Sequence, residues 1–186
     1  MGGHFIMKCS IFIDGNNFYH GLKYIYKDSK KFIDFNFEKF CNFLANENQI
    51  INIFYYNASL DRNENKNKYE SQQKFFEKLR KIPKFNLILC KLLKRKIKDK
   101  KEYYYVLKED DINMAVDMVE GACENKFDTA ILVSGDGDFV PAVKSAQKHN
   151  KRVENIYFKK SSSRNLKEIC DKSLELAKEI LDKFFN

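Results

Sequence analysis

The sequence predicts an α/β fold with a mainly parallel central sheet. Apolar segments of strand length alternate with segments whose apolar residues recur at helical spacing, which is typical of a parallel sheet covered by helices. The segment 129–133 is continuously apolar, as expected of a strand buried on both faces. The chain has 186 residues, 44% of them hydrophobic and only two of them proline, which excludes a disordered or low-complexity chain.

The first half of the chain is predicted to alternate strands and helices. A β-branched and aromatic segment ends at Asp14, and Gly15, Asn16 and Asn17 after it have the chemistry of a turn. Pro83 ends the third predicted helix. The predicted strands are residues 8–13, 50–56 and 85–93, and the predicted helices are 18–26, 36–46 and 61–81.

The second half continues the alternation. A basic turn at 95–101 leads into a strand at 102–107, which forms either a hairpin or a parallel strand with a ribbon. The remaining predictions are helices at 110–125 and 138–149, strands at 129–133 and 153–158, and one or two closing helices within 166–185. Residues 1–7 are expected to be leader or added sequence, and residues 8–186 a single domain.

Several functional classes are excluded by composition. No apolar run approaches the ~18 residues that a membrane-spanning helix needs, so no membrane partner is expected. The five cysteines form no CxxC pair and lie among apolar residues, which predicts buried free thiols and a cytoplasmic location. The histidines lack metal-ligand spacing, so His20 is expected to be structural. The sequence leaves the oligomeric state open between a monomer and a homodimer.

The positive charge is concentrated in one segment. Residues 61–101 contain 15 basic and 5 acidic residues, a net charge of +10, whereas the net charge of the whole chain is +8. Such a patch is expected for a polyanionic partner, and RNA is the partner predicted here, although a solvated surface is the alternative. The candidate RNA-binding residues are Lys91, Lys94, Arg95, Lys96 and Lys98.

Carboxylates follow two of the predicted strands and open one helix. Asp14 follows the first strand, Asp136 and Asp138 follow strand 129–133, and Asp110 and Asp111 open the helix before it. In open α/β sheets ligands bind beyond the carboxyl ends of the strands, so these side chains should meet at one edge. Clustered carboxylates repel one another unless a cation joins them, and carboxylate oxygens suit Mg²⁺ or Mn²⁺.

Each acidic residue also has a purely structural interpretation. Asp110 and Asp138 could cap helices, and Asn17 could close a turn rather than orient Asp14. Asp117 lies six residues beyond Asp111, about 9 Å along a helix, which favours a supporting or surface role.

Helical phase predicts which of the two consecutive aspartates points inward. If the apolar residues Ile112, Ala115, Val119 and Cys123 face the sheet, Asp111 lies on the sheet side. Asp110 then becomes the helix cap or a supporting residue. We therefore expect Asp111 to be the metal ligand of this pair.

Three motifs resemble those of the NYN domain family, in the bacterial LabA-like branch of the PIN-like nucleases. They are Ile11-Phe12-Ile13-Asp14-Gly15-Asn16-Asn17, then Lys108-Glu109-Asp110-Asp111 followed by Ala115-Val116-Asp117, then Ser134-Gly135-Asp136-Gly137-Asp138-Phe139. The resemblance implies a PIN-like, Rossmann-like three-layer fold. The branch usually has a small or apolar pair at positions 109 and 110, and this departure leaves open which aspartate faces the ion.

The resemblance also implies a metal-dependent ribonuclease. By that match Asp14, Asp111, Asp136 and Asp138 would be the catalytic and metal-binding carboxylates, with Asn17, Ser134, Asp110 and Asp117 as accessory groups and Mg²⁺ or Mn²⁺ as the cofactor. One alternative is a catalytically inactive NYN module that binds RNA or a protein partner as a regulator. Another is a phosphatase or 5′-nuclease that uses the same carboxylate chemistry.

Overall fold

The computed structural model describes residues 6–90, 92–96, 103–107 and 109–185. The strands are β1 Lys8–Asp14, β2 Gln49–Ala58, β3 Phe85–Cys90, β4 Leu92–Lys96, β5 Tyr103–Leu107, β6 Thr129–Val133, β7 Arg152–Tyr157 and β8 Lys172–Glu175. Six of them form a central sheet in the order β3-β2-β1-β6-β7-β8, and every pairing in it is parallel. The prediction of a mainly parallel α/β fold is confirmed.

Helices cover both faces of this sheet. They are α1 Gly15–Tyr26, α2 Phe37–Ala45, α3 Lys66–Arg80, α4 Asp110–Cys123, α5 Val140–Lys148, α6 Arg164–Ile169 and α7 Lys178–Leu181, with short 3₁₀ turns between some of them. Successive residues of a strand point to opposite faces, so Ile11 and Ile13 of β1 pack with α1, α2 and α3, whereas Phe12 packs with α4 and α5. The result is a three-layer fold with β1 at its centre.

A cluster of phenylalanines fixes the position of α1. The ring of Phe18 is fully buried, and its centroid lies 5.2 to 5.4 Å from those of Phe35, Phe37, Phe40 and Phe158. Tilted and edge-on ring contacts of this kind add to the free energy gained by burying apolar surface. Helix α1 is therefore held firmly where it leaves the end of β1.

Three local predictions were wrong. Residues 15–17 are not a separate turn, because α1 begins at Gly15 immediately after the strand. The predicted strand 85–93 divides into β3 and β4, and β4 pairs antiparallel with β5, which is the hairpin alternative. The closing segment is not purely helical, because β8 adds a parallel edge strand between α6 and α7.

Membrane-spanning potential and the state of the cysteines were also predicted from composition. In the described part of the chain, no helix is long and apolar enough to cross a membrane. All five cysteines are free thiols, but the expectation that each is buried was wrong: Cys123 is exposed and Cys170 is half-buried.

Candidate metal-binding cleft

The ends of the two central strands bring Asp14 and Ser134 together. Strands β1 and β6 are parallel neighbours with Ile13 opposite Val133, so the residues that follow emerge side by side. The Ser134 hydroxyl donates a hydrogen bond to Asp14 Oδ2 at 3.1 Å. Ser134 thus contacts the Asp14 carboxylate directly.

Asp14 is a buried carboxylate at the start of α1. Its side chain caps the helix by accepting a hydrogen bond from the backbone N–H of Asn17 at 2.8 Å. Burial raises the pKa of Asp14 to about 6, the hydrogen bonds from Asn17 and Ser134 oppose this rise, and the charges of Asp110 and Asp136 add to it. Asp14 therefore sits where its negative charge is costly without a cation.

Hydrogen bonds between residues close in sequence shape the loop that follows β6. The Asp136 N–H donates to Ser134 Oγ at 3.2 Å, and the Asp138 N–H donates to Asp136 Oδ1 at 2.9 Å. Asp136 thereby caps the 3₁₀ turn Gly137–Phe139, and Asp138 makes no capping bond to α5, so its interpretation as that helix's cap was wrong.

Both glycines of this loop are closely packed, and the packing requires a glycine at position 135. A Cβ atom at position 135 would collide with the backbone carbonyl of Ser161, and one at position 137 would lie 2.8 Å from Ser163 Oγ. The Ser163 N–H also donates to the Gly135 carbonyl at 2.8 Å. The 134–138 loop therefore packs closely against the segment that precedes α6 and is hydrogen-bonded to it.

The phase predicted for α4 was wrong. The helix buries Met114, Met118 and Ala122, whereas Ile112 is 67% exposed and Cys123 is also exposed. Asp110 lies four residues before Met114 and is itself 8% exposed, so Asp110 is on the buried face. Two apolar stripes compete on this helix, and the flexible methionines fill the space against the sheet better than branched Ile112.

Both consecutive aspartates nevertheless reach the cleft. Burial, followed by the charges of Asp110, Asp14, Asp136 and Asp138, raises the pKa of Asp111 to about 7. Burial also raises the pKa of Asp110. Asp110 is not the N-cap, because Glu109 occupies that position with a positive φ of 84° and makes no side-chain capping bond.

These residues line a cleft of about 630 Å³, which we call the acidic cleft. Asp14, Asp110, Asp111 and Asp136 all contribute to its wall, together with Asn17, whose Oδ1 accepts a hydrogen bond from Ser161 at 3.2 Å. Asp138 is not part of this wall. Within the described residues, no three acidic, histidine or cysteine side chains are close enough together to form a ready-made metal site.

Asp117, for which a supporting or surface role was predicted, is hydrogen-bonded to a tyrosine of β2. Its Oδ2 accepts a 2.7 Å hydrogen bond from the hydroxyl of Tyr56, and it does not line the acidic cleft. The partnership explains how the buried Tyr56 hydroxyl is satisfied next to the apolar core. In the structure Asp117 therefore joins α4 to β2.

Sequence reasoning missed several residues that line or support the cleft. His20, Lys23, Tyr24 and Lys160 line it, and the Lys160 ammonium lies 4.4 Å from the centroid of the Tyr24 ring. Residues 16, 20, 23 and 24 repeat at helical spacing, and this pattern could have revealed a polar face of α1 towards the carboxylates.

Sequence reasoning also missed Asn155 of β7, which lies beneath the site. It is completely buried, and its Nδ2 donates to the carbonyls of Ser134 at 2.7 Å and Leu132 at 3.3 Å. Its Oδ1 has no hydrogen-bond partner among the described residues. A polar residue inside an apolar strand was the available signal, because a buried amide usually serves a specific bond.

Comparison with known proteins decides the family. A sequence model described as the NYN domain matches residues 8–177. The chain belongs to the NYN domain family. A solved structure of a protein of unknown function from Vibrio parahaemolyticus is similar to this NYN domain, with 23% identity, a TM-score of 0.74, and coverage of 97% of this chain and 99% of that one. Comparison with curated proteins found no match.

The family match and the structural likeness support the predicted fold and the predicted broad family. The NYN domain has a PIN-like fold, and its family belongs with the PIN-like nucleases. The candidate RNA-binding residues are not tested by the structure. Lys94, Arg95 and Lys96 lie in strand β4, and Lys91 and Lys98 lie outside the described residues.

The chemistry of the acidic cleft fits a hard divalent cation. Carboxylate oxygens are the ligands that Mg²⁺ and Mn²⁺ prefer. Among the described residues, no lysine, arginine or histidine lies within 4 Å of the carboxylate of Asp14, Asp111 or Asp136. Buried and half-buried acidic groups without a cationic partner among the described residues are groups that a bound metal ion would stabilise.

Proposed function

We propose that this NYN domain is a ribonuclease that depends on Mg²⁺ or Mn²⁺ and hydrolyses phosphodiester bonds of RNA. The observation that carries the proposal is the convergence of Asp14, Asp110, Asp111 and Asp136 on one cleft, where burial and mutual repulsion raise the pKa values of Asp14 and Asp111. The membership of the chain in a family of PIN-like nucleases supports the same reaction class.

Asp14, Asp111 and Asp136 would hold the cation from three separate chain segments, with Asp110 as an accessory group in the same wall. Asp138 does not line the cleft, but its charge helps to raise the pKa of Asp111, and it would join the ligands from the 3₁₀ turn Gly137–Phe139. When bound, the cation supplies Lewis-acid polarisation of the phosphoryl group and stabilises the leaving oxygen. Asn17 and Ser134 fix the orientation of the Asp14 carboxylate through hydrogen bonds to its two oxygens.

Lysines at the rim of the cleft complete the proposed site. Lys23 and Lys160 line the cleft beside the carboxylates, so their charges favour the approach of an RNA phosphate to a wall that would otherwise repel it. Water is the nucleophile in hydrolysis, so no side chain has to form a covalent bond with the substrate.

Incubation with labelled RNA tests this proposal. Single-stranded and hairpin RNA are treated with the full chain in Mg²⁺, in Mn²⁺ or in EDTA, and the products are resolved on denaturing gels. Wild type should cleave only with a divalent cation, and Asp136→Asn should not cleave. Asp34→Asn, which changes an exposed aspartate outside the acidic cleft, is the matched control and should cleave like wild type.

The same assay separates the alternative functions. RNA binding without cleavage in either metal would support an inactive regulatory module and would overturn the nuclease proposal. Release of inorganic phosphate from a 5′-phosphorylated RNA without internal cuts would instead support a phosphatase.

A further inference from the structure

A second depression continues the acidic cleft across helix α1, and we call it the α1–α3 groove. It has a volume of about 840 Å³ and lies between α1, α3 and the end of β2. Asn16, His20 and Lys23 line both depressions, so the groove and the cleft adjoin along helix α1. These three residues recur at positions i, i+4 and i+7 of α1 and therefore share one face of the helix.

The charge of the groove is opposite to that of the cleft. Five lysines line it, and Asp28 is the one acidic residue in its described wall. Lys30 is paired with Asp182 at 3.4 Å. The remaining four form no ion pair with a carboxylate in the described part of the chain, and they are Lys23, Lys31, Lys68 and Lys74. A row of lysines without acidic partners is suited to a chain of phosphates.

An aromatic side chain stands in the wall of the groove beside these lysines. Tyr19 is 40% exposed. Its ring makes edge contacts with the rings of Phe32 at 5.3 Å and His20 at 5.4 Å. A partly exposed tyrosine that neighbouring rings support is a suitable platform for an unpaired nucleobase.

We propose that the α1–α3 groove binds the single-stranded RNA segment adjacent to the phosphate that is cleaved. Tyr19 stacks against one unpaired base, and Lys68 and Lys74 contact the backbone phosphates. Because the bases of a duplex are stacked on one another, an A-form helix cannot offer a base to Tyr19, and the groove therefore selects single strands. This inference rests on the proposed function, since it assigns the flanking part of the same substrate.

Fluorescence anisotropy in EDTA tests the groove without any cleavage. The probes are a labelled single-stranded 12-nucleotide RNA and the corresponding duplex. Tyr19→Ala should weaken binding of the single strand about 5-fold or more, which is the loss expected for one stacked base, and Tyr19→Phe should retain wild-type binding. The double variant Lys68→Ala/Lys74→Ala should reduce the log–log salt slope by about 1.4.

A matched control removes the same charge elsewhere. Lys144→Ala/Lys148→Ala changes two exposed lysines of α5, on the other face of the sheet, and should leave binding within about 2-fold of wild type. Both lysine pairs are exposed, so these variants should fold even if Tyr19→Ala does not, and circular dichroism checks this.

The outcomes separate the groove from the proposed nuclease activity. Wild-type affinity in both the Tyr19→Ala and the Lys68→Ala/Lys74→Ala variants, or equal affinity of wild type for duplex and single strand, would overturn the groove. Metal-dependent cleavage by the wild type would in that case still support the nuclease. Weaker binding by the groove variants without cleavage by the wild type would support the groove and overturn the nuclease.

Discussion

The acidic cleft and the α1–α3 groove share one face of helix α1 but differ in how they carry charge. In the cleft, Asp14 is only 7% exposed, and burial together with neighbouring carboxylates opposes its ionisation. In the groove, Lys68 and Lys74 are exposed on the surface of α3, where water screens their charges. Ionised carboxylates in the cleft therefore destabilise the metal-free protein, and a bound cation would offset this. The exposed lysines of the groove can attract a polyanion while destabilising the fold very little.

This difference separates two kinds of function. Groups held in a low-dielectric cleft act on developing charge, whereas exposed lysines and a supported ring contribute mainly to affinity. Substitutions in the cleft should thus lower the turnover number, and substitutions in the groove should raise KM. Variants of the two regions therefore test whether catalysis and affinity are divided in this way.

Asp14→Asn and Asp136→Asn should each lower RNA cleavage by at least about 10²-fold, because each removes one preorganised charge from the cleft. The turnover number should fall far more than the affinity for RNA. Single-turnover rates at saturating protein measure this directly, with Asp34→Asn as the exposed control. Cleavage at the wild-type rate by either variant would remove these carboxylates from the proposed mechanism.

The stability of the metal-free protein should fall as the pH rises through the range in which Asp14 ionises. The folded-state pKa of Asp14, about 6, lies above the unfolded value near 4, so the folded state binds the extra proton and is favoured at low pH. Between pH 4 and pH 7 the ionisation of Asp14 should lower the free energy of unfolding by about 2 kcal/mol.

Asp14→Asn should remove that part of the pH dependence, since an amide does not ionise. Urea denaturation of wild type and variant in EDTA at several pH values gives the difference in unfolding free energy. Parallel pH profiles for the two proteins would show that burial of Asp14 is not a source of stored free energy in the cleft.

Asn155→Ala should lower the free energy of unfolding by roughly 1–3 kcal/mol, because it leaves the buried carbonyl of Ser134 without its donor. Cleavage should fall less than in Asp136→Asn, since Asn155 supports the loop without reaching the cleft. Thermal denaturation measures the stability, and Asn63→Ala, which changes an exposed amide, is the control. No loss of stability would mean that the Asn155 amide does not hold the loop.

Substitutions in the basic segment around β4 should change RNA affinity but not the cleavage step, so we expect the smallest effect on activity from them. Neutralising Lys94, Arg95 and Lys96 should flatten the salt dependence of single-strand binding, by about 0.7 in log–log slope for each phosphate that the variant no longer neutralises, without sequence preference. Comparison with Lys68→Ala/Lys74→Ala shows which lysines the RNA touches. An unchanged slope for the β4 variant would confine RNA binding to the groove.

Much of the fold could be predicted because its signals are local. Continuous apolar segments marked β1 and β6, and their parallel pairing placed Asp14 beside Ser134. The phase of α4 could not be predicted, because Ile112 and Met114 offer two apolar faces and only packing against the sheet chooses between them. The groove was missed for a related reason: Tyr19 and Lys68 are far apart in sequence and meet only in the folded structure.

Direct measurement of Mn²⁺ binding tests, without RNA, whether the acidic cleft binds a divalent cation. The electron paramagnetic resonance signal of free Mn²⁺ is followed during titration of wild type, Asp111→Asn, Asp136→Asn and the control Asp34→Asn. We expect saturable binding by wild type and Asp34→Asn, and at least about tenfold weaker binding by the two cleft variants, since each loses a carboxylate ligand. Absence of Mn²⁺ binding by the wild type, or equal affinity in all four proteins, would contradict the assignment of the cleft as a metal site.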